Sequence, residues 1–269
     1  KAAITGAARS QLEDYLGGNE VVDAYFEMIS PYDITLSTLH ETEKEIQMLR
    51  GVDTQIPKVL VFLYKDGDYW EYIRVVIALK EDRVGILAKI TGVLWLSGMN
   101  IQQVRIRTHK QKGYILDTFW AYKRKGVDHN ELQRRLQNDF SLVFGSGKHI
   151  VELAQERGID YEFIREASIP TQIEFQDNGP AGYSVMHLTT ADRRGLLYIV
   201  SGILSEKFGI NIQYCFGSTR GNEVDDFIYL DLEGKALPAD IKDSLRLRLV
   251  PLLNKDKIAI GDLLRSSSP

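Results

Sequence analysis

Val75–Tyr122, VVIALKEDRVGILAKITGVLWLSGMNIQQVRIRTHKQKGYILDTFWAY, and Val185–Leu232, VMHLTTADRRGLLYIVSGILSEKFGINIQYCFGSTRGNEVDDFIYLDL, read as two copies of one unit. Asp82, Arg83 and Gly85 match Asp192, Arg193 and Gly195 at an offset of 110, and Asn100-Ile101-Gln102 matches Asn211-Ile212-Gln213 at 111. A repeat of this length sets the architecture before any single motif is considered.

The apolar period changes in the same order within each copy. Val75–Leu79 is a short β-branched run that predicts a strand. Ile86, Leu87, Ile90, Val93 and Leu94 then recur at helical spacing until Gly98. Ile101–Thr108 and Tyr114–Tyr122 follow as two strands joined by the polar turn HKQKG. In the second copy the helix is expected over Gly195–Phe208, between the same kinds of strand. An amphipathic helix follows each hairpin, at Asn130–Phe140 and Ala239–Leu253. Thr171–Phe175 and Lys257–Ile260 are then the candidates for a closing strand. The order βαββαβ defines an α+β, ferredoxin-like unit with helices on one face of an antiparallel sheet, present twice.

Upstream, Lys58–Tyr64 predicts a strand that enters the turn Lys65-Asp66-Gly67-Asp68, where Asp-Gly is a hairpin signal. Glu20–Met28 and Glu41–Leu49 are charged, amphipathic and helical in period, and their apolar face is expected against a neighbouring domain. The predicted division is a helical segment over 1–56, a first unit with connector over 57–180 and a second unit over 181–269. The chain opens on Lys1 inside a helical pattern, as a piece of a longer protein would.

Composition narrows the function. With 269 residues, 44% apolar and 26% charged, the chain can bury two cores of ordinary size. No apolar run approaches the roughly 18–20 residues that cross a bilayer, so the expectation is a cytoplasmic protein without a membrane partner. The net charge of −4 argues against nucleic acid as partner. The basic clusters Arg105–Lys112 and Lys123–Lys125 read as solvated loops, with a partner-binding patch as the alternative. Cys215, the single cysteine, lies among apolar neighbours and reads as a buried thiol. His40, His109, His129, His149 and His187 show no metal-binding spacing, and no cofactor is expected.

Gly217–Asp226, GSTRGNEVDD, superficially resembles a phosphate-cradling Gly-Ser turn followed by metal-binding aspartates. In the repeat alignment it falls on the second hairpin, opposite Arg107–Asp117, with Arg220-Gly221-Asn222 as the turn. Asp225 and Asp226 are adjacent on a strand and point to opposite faces, so they cannot pair on a metal. The alignment makes Asp225 the counterpart of Asp117.

Asp82-Arg-Val-Gly-Ile-Leu and Asp192-Arg-Arg-Gly-Leu-Leu, each followed by Gly-x-Asn-Ile at Gly98–Ile101 and Gly209–Ile212, resemble the DRxGLL…GxNI signature of ACT domains. Leu116–Trp120 and the connector Ile169–Asn178 narrow the resemblance to the C-terminal tandem ACT region of bacterial PII uridylyltransferase/uridylyl-removing enzymes. It covers about residues 57–269, and Tyr25–Arg50 resembles the tail of that family's HD domain. The resemblance implies a region that senses glutamine for a nucleotidyltransferase domain, which adds UMP to PII signal proteins, and an HD hydrolase domain, which removes it. Neither domain is recognisable in this sequence, so both activities are expected outside these residues, and no catalytic residue is assigned. A PII protein is then a partner through the full-length enzyme. ACT-like sheets pair edge to edge, which implies an eight-stranded sheet within the chain or between two copies in a homodimer.

The repeated loop has a chemistry of its own. Asp82 and Asp192 fall between a strand end and a helix start, where a carboxylate can cap free N–H groups, while Gly85 and Gly195 allow close approach to the backbone. An α-amino acid has complementary charges, its carboxylate suiting the helix N-terminus and its ammonium an aspartate. Asn100 and Asn211 can complete the site, and a neutral amide such as glutamine fits it. The candidate ligand-binding residues are Asp82, Gly85, Ile86, Asn100 and Ile101 in the first copy, and Asp192, Gly195, Leu196, Asn211 and Ile212 in the second. Cap, packing gap and turn are also ordinary uses of these residues, so the element leaves ligand binding open. Arg83 and Arg193 read as solvated or as inter-domain contacts. Trp95, Phe119, Trp120, Tyr122 and Tyr229 read as core or sheet-face packing, with Phe119 and Trp120 on opposite faces.

Overall fold

The computed structural model describes residues 10, 19–29, 39–53, 55–66, 69–109, 111–126, 128–159, 162–177 and 182–259. Gly67 and Asp68 of the upstream turn, Lys110, the end of the connector at Asn178, and Ile260 lie outside the described residues.

Two helices, α1 (Asn19–Met28) and α2 (Leu39–Arg50), precede the first hairpin, β1 (Lys58–Asp66) and β2 (Trp70–Lys80). The first unit continues through α3 (Ile86–Leu96), β3 (Asn100–Ile106), the short β4 (Thr108–His109), β5 (Tyr114–Arg124) and α4 (His129–Phe140), which runs into a π-helical turn at Ser141–Gly145. After α5 (Ile150–Glu156) and β6 (Glu162–Ile164), the second unit comprises β7 (Gln172–Gln176), β8 (Ser184–Ala191), α6 (Leu196–Gly202), β9 (Asn211–Arg220), β10 (Glu223–Asp231) and α7 (Ala239–Leu253). It ends with β11 (Lys257–Ala259). The helix expected to reach Phe208 passes into a π-helical turn at Ile203–Lys207.

Both units have the ferredoxin-like strand order, and they join into one sheet, β1-β2-β5-β3-β9-β10-β8-β7. The seam is antiparallel, Gln103–Ile106 of β3 against Cys215–Ser218 of β9. The side-by-side pairing is therefore made within the chain.

The closing strands differ from expectation. Thr171–Phe175 does form a strand, but as β7 it pairs with β8 of the second unit and does not close the first. Lys257–Ala259 pairs with β6 in a separate small sheet. In each unit the outer edge is filled by the strand that precedes the core, β1 or β7. A hairpin or short connection reaches an antiparallel neighbour with little loop-closure cost, so the preceding strand occupies the edge first.

α1 and α2 do not wait for another domain: Val22, Tyr25, Ile46 and Leu49 pack on Val76, Ala78 and Leu116, covering the back of the first unit's sheet. Its front, Ile73, Val75, Ile77 and Leu79, packs under α3. Thus β2 is buried on both faces and its run VVIAL is continuously apolar. β8 alternates, with Met186 and Leu188 in the core and His187 half-buried on the opposite face.

The basic stretches are only partly solvated: Arg124 and Lys125 are exposed, but other members are not. Arg107 and Lys123 are buried. Arg107 donates to Thr118 Oγ1 at 3.1 Å, and Lys123 pairs with Glu71. Phe119 and Trp120 point to opposite faces: Phe119 belongs to the front core, and Arg105 lies over the Trp120 ring. Trp95 is buried, Tyr229 meets Tyr214 and Phe216 edge-on, and Tyr122 is exposed. Cys215 is fully buried, and burial pushes its thiol well above the usual range. No helix among the described residues is long and apolar enough to cross a membrane.

Candidate functional site

The repeated loops come together at the junction of the two units. α3 packs against α6, and Thr91 Oγ1 meets Ser201 Oγ at 3.2 Å across their junction. Around this pseudo-twofold axis each loop faces the other unit's strand. Asn211 Nδ2 donates to Asp82 Oδ2 at 3.2 Å, and Asn100 Nδ2 to Asp192 Oδ2 at 3.5 Å.

Two clefts result, each built from both copies. The first is lined by Asp82, Gly85 and Ile86 with Asn211 and Ile212, and has a cavity volume of about 10 Å³. The second is lined by Asp192, Gly195 and Leu196 with Asn100 and Ile101, and is the larger of the two, with a cavity volume of about 40 Å³. The ten residues singled out in the sequence thus divide between two clefts. Each cleft takes its Asp-Gly loop from one repeat and its asparagine from the other, a crossing invisible to an alignment of the copies.

The loops do not cap as expected. The helices start one residue after Gly85 (φ 89°) and Gly195 (φ 90°), both left-handed, and no side chain caps either helix. The aspartates lie too far upstream and face the partner unit's asparagine. The free space expected beside the glycines exists at Gly85, where a Cβ would find only Ser205 Oγ at 3.9 Å. At Gly195 it is already filled, a Cβ falling 2.6 Å from Phe163 Cε1 and 2.8 Å from Trp95 Cδ1. Arg83 is exposed, but Arg193 is buried and donates to the carbonyls of Phe163, Leu253 and Lys255. It anchors the β6–β11 sheet behind the second cleft, because its charge is satisfied there by backbone carbonyls.

A second pair of acids, Asp117 and Asp226, lines the clefts from the inner side of β5 and β10. The sequence alignment gave Asp117 the wrong counterpart. Asp225 faces outward, with His187 Nε2 2.6 Å from its Oδ1, and Asp226 points into the core side as Asp117 does. The second hairpin is two residues shorter between Asn211 and Asp226 than the first between Asn100 and Asp117. A one-residue slip in a strand reverses the face.

Burial pushes Asp117 well above the usual carboxylate range against the pull of the Arg107 N–H, with Asp82 adding to the rise. Asp192 is also raised by burial, opposed by hydrogen bonds from Asn100, the Arg193 N–H and Gln102. Burial, then Asp225 and Asp192, push Asp226 up to about 7. Against an unfolded value near 3.9, the raised Asp226 favours the folded protein fully below about pH 4, and this contribution is lost as pH rises through about 7, on the order of 4 kcal/mol. Asp226→Asn cannot ionise, so its stability relative to the parent is expected to improve from about pH 5 to about pH 8 in urea unfolding. An unchanged difference would show that Asp226 is not a buried acid.

Among the described residues no group of three or more His, Cys, Asp or Glu side chains is placed to hold a metal. The fold is that of two ferredoxin-like, ACT-like units joined side by side. No family model matches the chain. It is similar to bifunctional uridylyltransferase/uridylyl-removing enzymes: 27% identical over 150 residues to that of Ruegeria pomeroyi and 32% over 153 to that of Cereibacter sphaeroides, each alignment covering 55% of this chain. It is 25% identical over 201 residues, 73% of this chain, to that of Ralstonia nicotianae. The resemblance read from the paired loops and the connector is thus borne out. The alignments span 16% of the length of the first two relatives and 22% of the third. Among solved structures, aspartate kinase from Synechocystis aligns at 16% identity and a TM-score of 0.39, over 70% of this chain and 28% of that one, and adds nothing to the topology described above.

Proposed function

We propose that this chain is an amino-acid-sensing regulatory region, with glutamine as ligand, that controls uridylyl-transferring and uridylyl-removing domains of a longer cytoplasmic enzyme acting on a PII signal protein. In this reading the helical segment spans 1–56 and the two sensing units 57–180 and 181–269, the second drawing its edge strand from the connector. The carrying observation is that each cleft is shared between the units. A ligand held by Asp82 or Asp192 together with the other unit's asparagine ties the arrangement of the units to occupancy, which is the coupling that allostery requires. The test is calorimetry of the chain against the twenty amino acids. Glutamine is expected to give heat and to raise the unfolding temperature; neither effect with any amino acid would overturn the reading.

One observation favours a second reading, a ligand-independent homodimerising or PII-docking module. The back of the second unit's sheet carries exposed Phe216 and Phe227, where the first unit has α1 and α2. Capture of a PII protein at equal strength with and without glutamine would favour this module over the sensor.

A further inference from the structure

The two clefts are related by the pseudo-twofold axis, yet their inner acids are not equally satisfied. In the first, β3 ends at Ile106, and the freed N–H of Arg107 donates to Asp117 Oδ1 at 3.3 Å. In the second, β9 runs without a break from Asn211 to Arg220 and has Gly217 where the Asp226 carboxylate rests. A Cβ at residue 217 would occupy the place of Asp226 Oδ1, so the glycine makes the room for that oxygen and offers it no donor.

Among the described residues the Asp226 carboxylate accepts no hydrogen bond, although the side chain is only 7% exposed and lines the cleft. Asp192, the other acid of that cleft, is already engaged by Asn100 and Gln102. A buried carboxylate without a donor is costly unless a cation or donor arrives to meet it. An amino acid brings an ammonium with three donors.

We infer that Asp226 receives the ligand's α-ammonium, which makes the cleft of Asp192 and Asn100 the site that selects amino acids and leaves the Asp117 cleft structural. The inference rests on the amino-acid-sensing reading. Thr219, on the same face of β9 as Gly217, lines the same cleft and suits the remaining polar groups of the ligand. The charged and titratable groups around Asp226 are Asp192 and Arg193 from the loop before α6, Tyr198 on α6, Asp225 on its own strand and Cys215 on β9, while β3 presents the uncharged Asn100 and Gln102. Arg193 directs its guanidinium away to the carbonyls of Phe163, Leu253 and Lys255, and none of the others is a cation, so the ligand is the source of positive charge for Asp226. Because Asp226 titrates at about 7, capture of an ammonium below that pH releases a proton.

The test is calorimetry with L-glutamine and with 4-carbamoylbutanoate, the same molecule without its ammonium, on the full chain and on Asp226→Asn and Asp117→Asn, with circular dichroism to confirm folding. Glutamine affinity is expected to fall at least about tenfold in Asp226→Asn and to stay within about twofold in Asp117→Asn. The deaminated analogue is expected to bind weakly and with no further loss in Asp226→Asn. At about pH 6 the glutamine heat of the parent should vary with the ionisation enthalpy of the buffer, and that variation should vanish in Asp226→Asn. Parent-like glutamine binding by Asp226→Asn, or loss confined to Asp117→Asn, would overturn the inference while the sensing reading stands. A parent chain that binds no amino acid would overturn both.

Discussion

Arg74→Met is expected to destabilise the protein by about 3–5 kcal/mol, because it strands a buried carboxylate. Arg74 Nη1 lies 2.8 Å from Glu45 Oε1 and its Nη2 3.4 Å from Glu41, and the guanidinium sits 4.7 Å from the centre of the Phe62 ring. Tyr25 donates its hydroxyl to Glu45 Oε2 at 2.8 Å. Glu45 is 1% exposed, and burial raises its carboxyl above the usual range even though Arg74 pulls it down. Removing the arginine leaves the burial opposed only by the Tyr25 hydroxyl and the charge of Arg107. The loss should therefore be largest above neutral pH and shrink in acid, where Glu45 takes up a proton and needs no cation. Urea unfolding at two pH values measures it. The double variant Arg74→Met/Glu45→Met should recover much of the loss, since the pair as a whole contributes less than either half costs when orphaned. A small, pH-independent effect would mean that α2 does not seal this face of the sheet.

Gly195→Ala is expected to cost about 3–5 kcal/mol, against about 1–2 kcal/mol for Gly85→Ala. The two glycines share one backbone conformation, φ 90° and 89°, so the strain of placing a Cβ there is common to both. They differ in what the Cβ meets. Beside Gly85 there is space, whereas beside Gly195 the Cβ would press on Phe163 and Trp95, which are 1% and 2% exposed and packed with ring centres 5.1 Å apart. Denaturant unfolding of the two variants isolates the packing term as their difference. Equal losses would mean that Phe163 and the β6 strand do not rest on the second cleft.

Much of the fold could be read from the chain because its signals are local. Period-two and helical runs placed β2, α3, β5 and α7 within a few residues, and the Arg220-Gly221-Asn222 stretch gave the turn between β9 and β10. The difference between the continuous run at Val75–Leu79 and the alternating Val185–Thr190 also carried information, two covered faces against one, which explains where α1 and α2 lie. α5 and β6 gave no comparable signal: they are seven and three residues long, too short for a period to emerge.

The candidate site was legible as a list of residues and not as a geometry. The repeat singled out Asp82, Gly85, Asn100 and their counterparts because identical short motifs recur at a fixed spacing. It could not say that Asp82 meets Asn211, a contact 129 positions apart, nor that Asp226 turns inward. Arg107 was misjudged because charge in a sequence suggests solvent, while burial depends on which groups the fold brings near; of the two readings offered for Arg193, contact with another segment is the one observed.

By itself, then, the sequence determined the repeat, the α+β class, the hairpins and the residues of the paired loops, all of which depend on neighbours within a few positions or on self-similarity. Tertiary structure decided the edge strands, the cover over the first sheet, the crossing of loops between units and the unmatched environments of Asp117 and Asp226. These follow from strand register and from contacts between distant segments. A shift of one residue, or a glycine in the adjacent strand, changes the face or the partner without altering the local pattern.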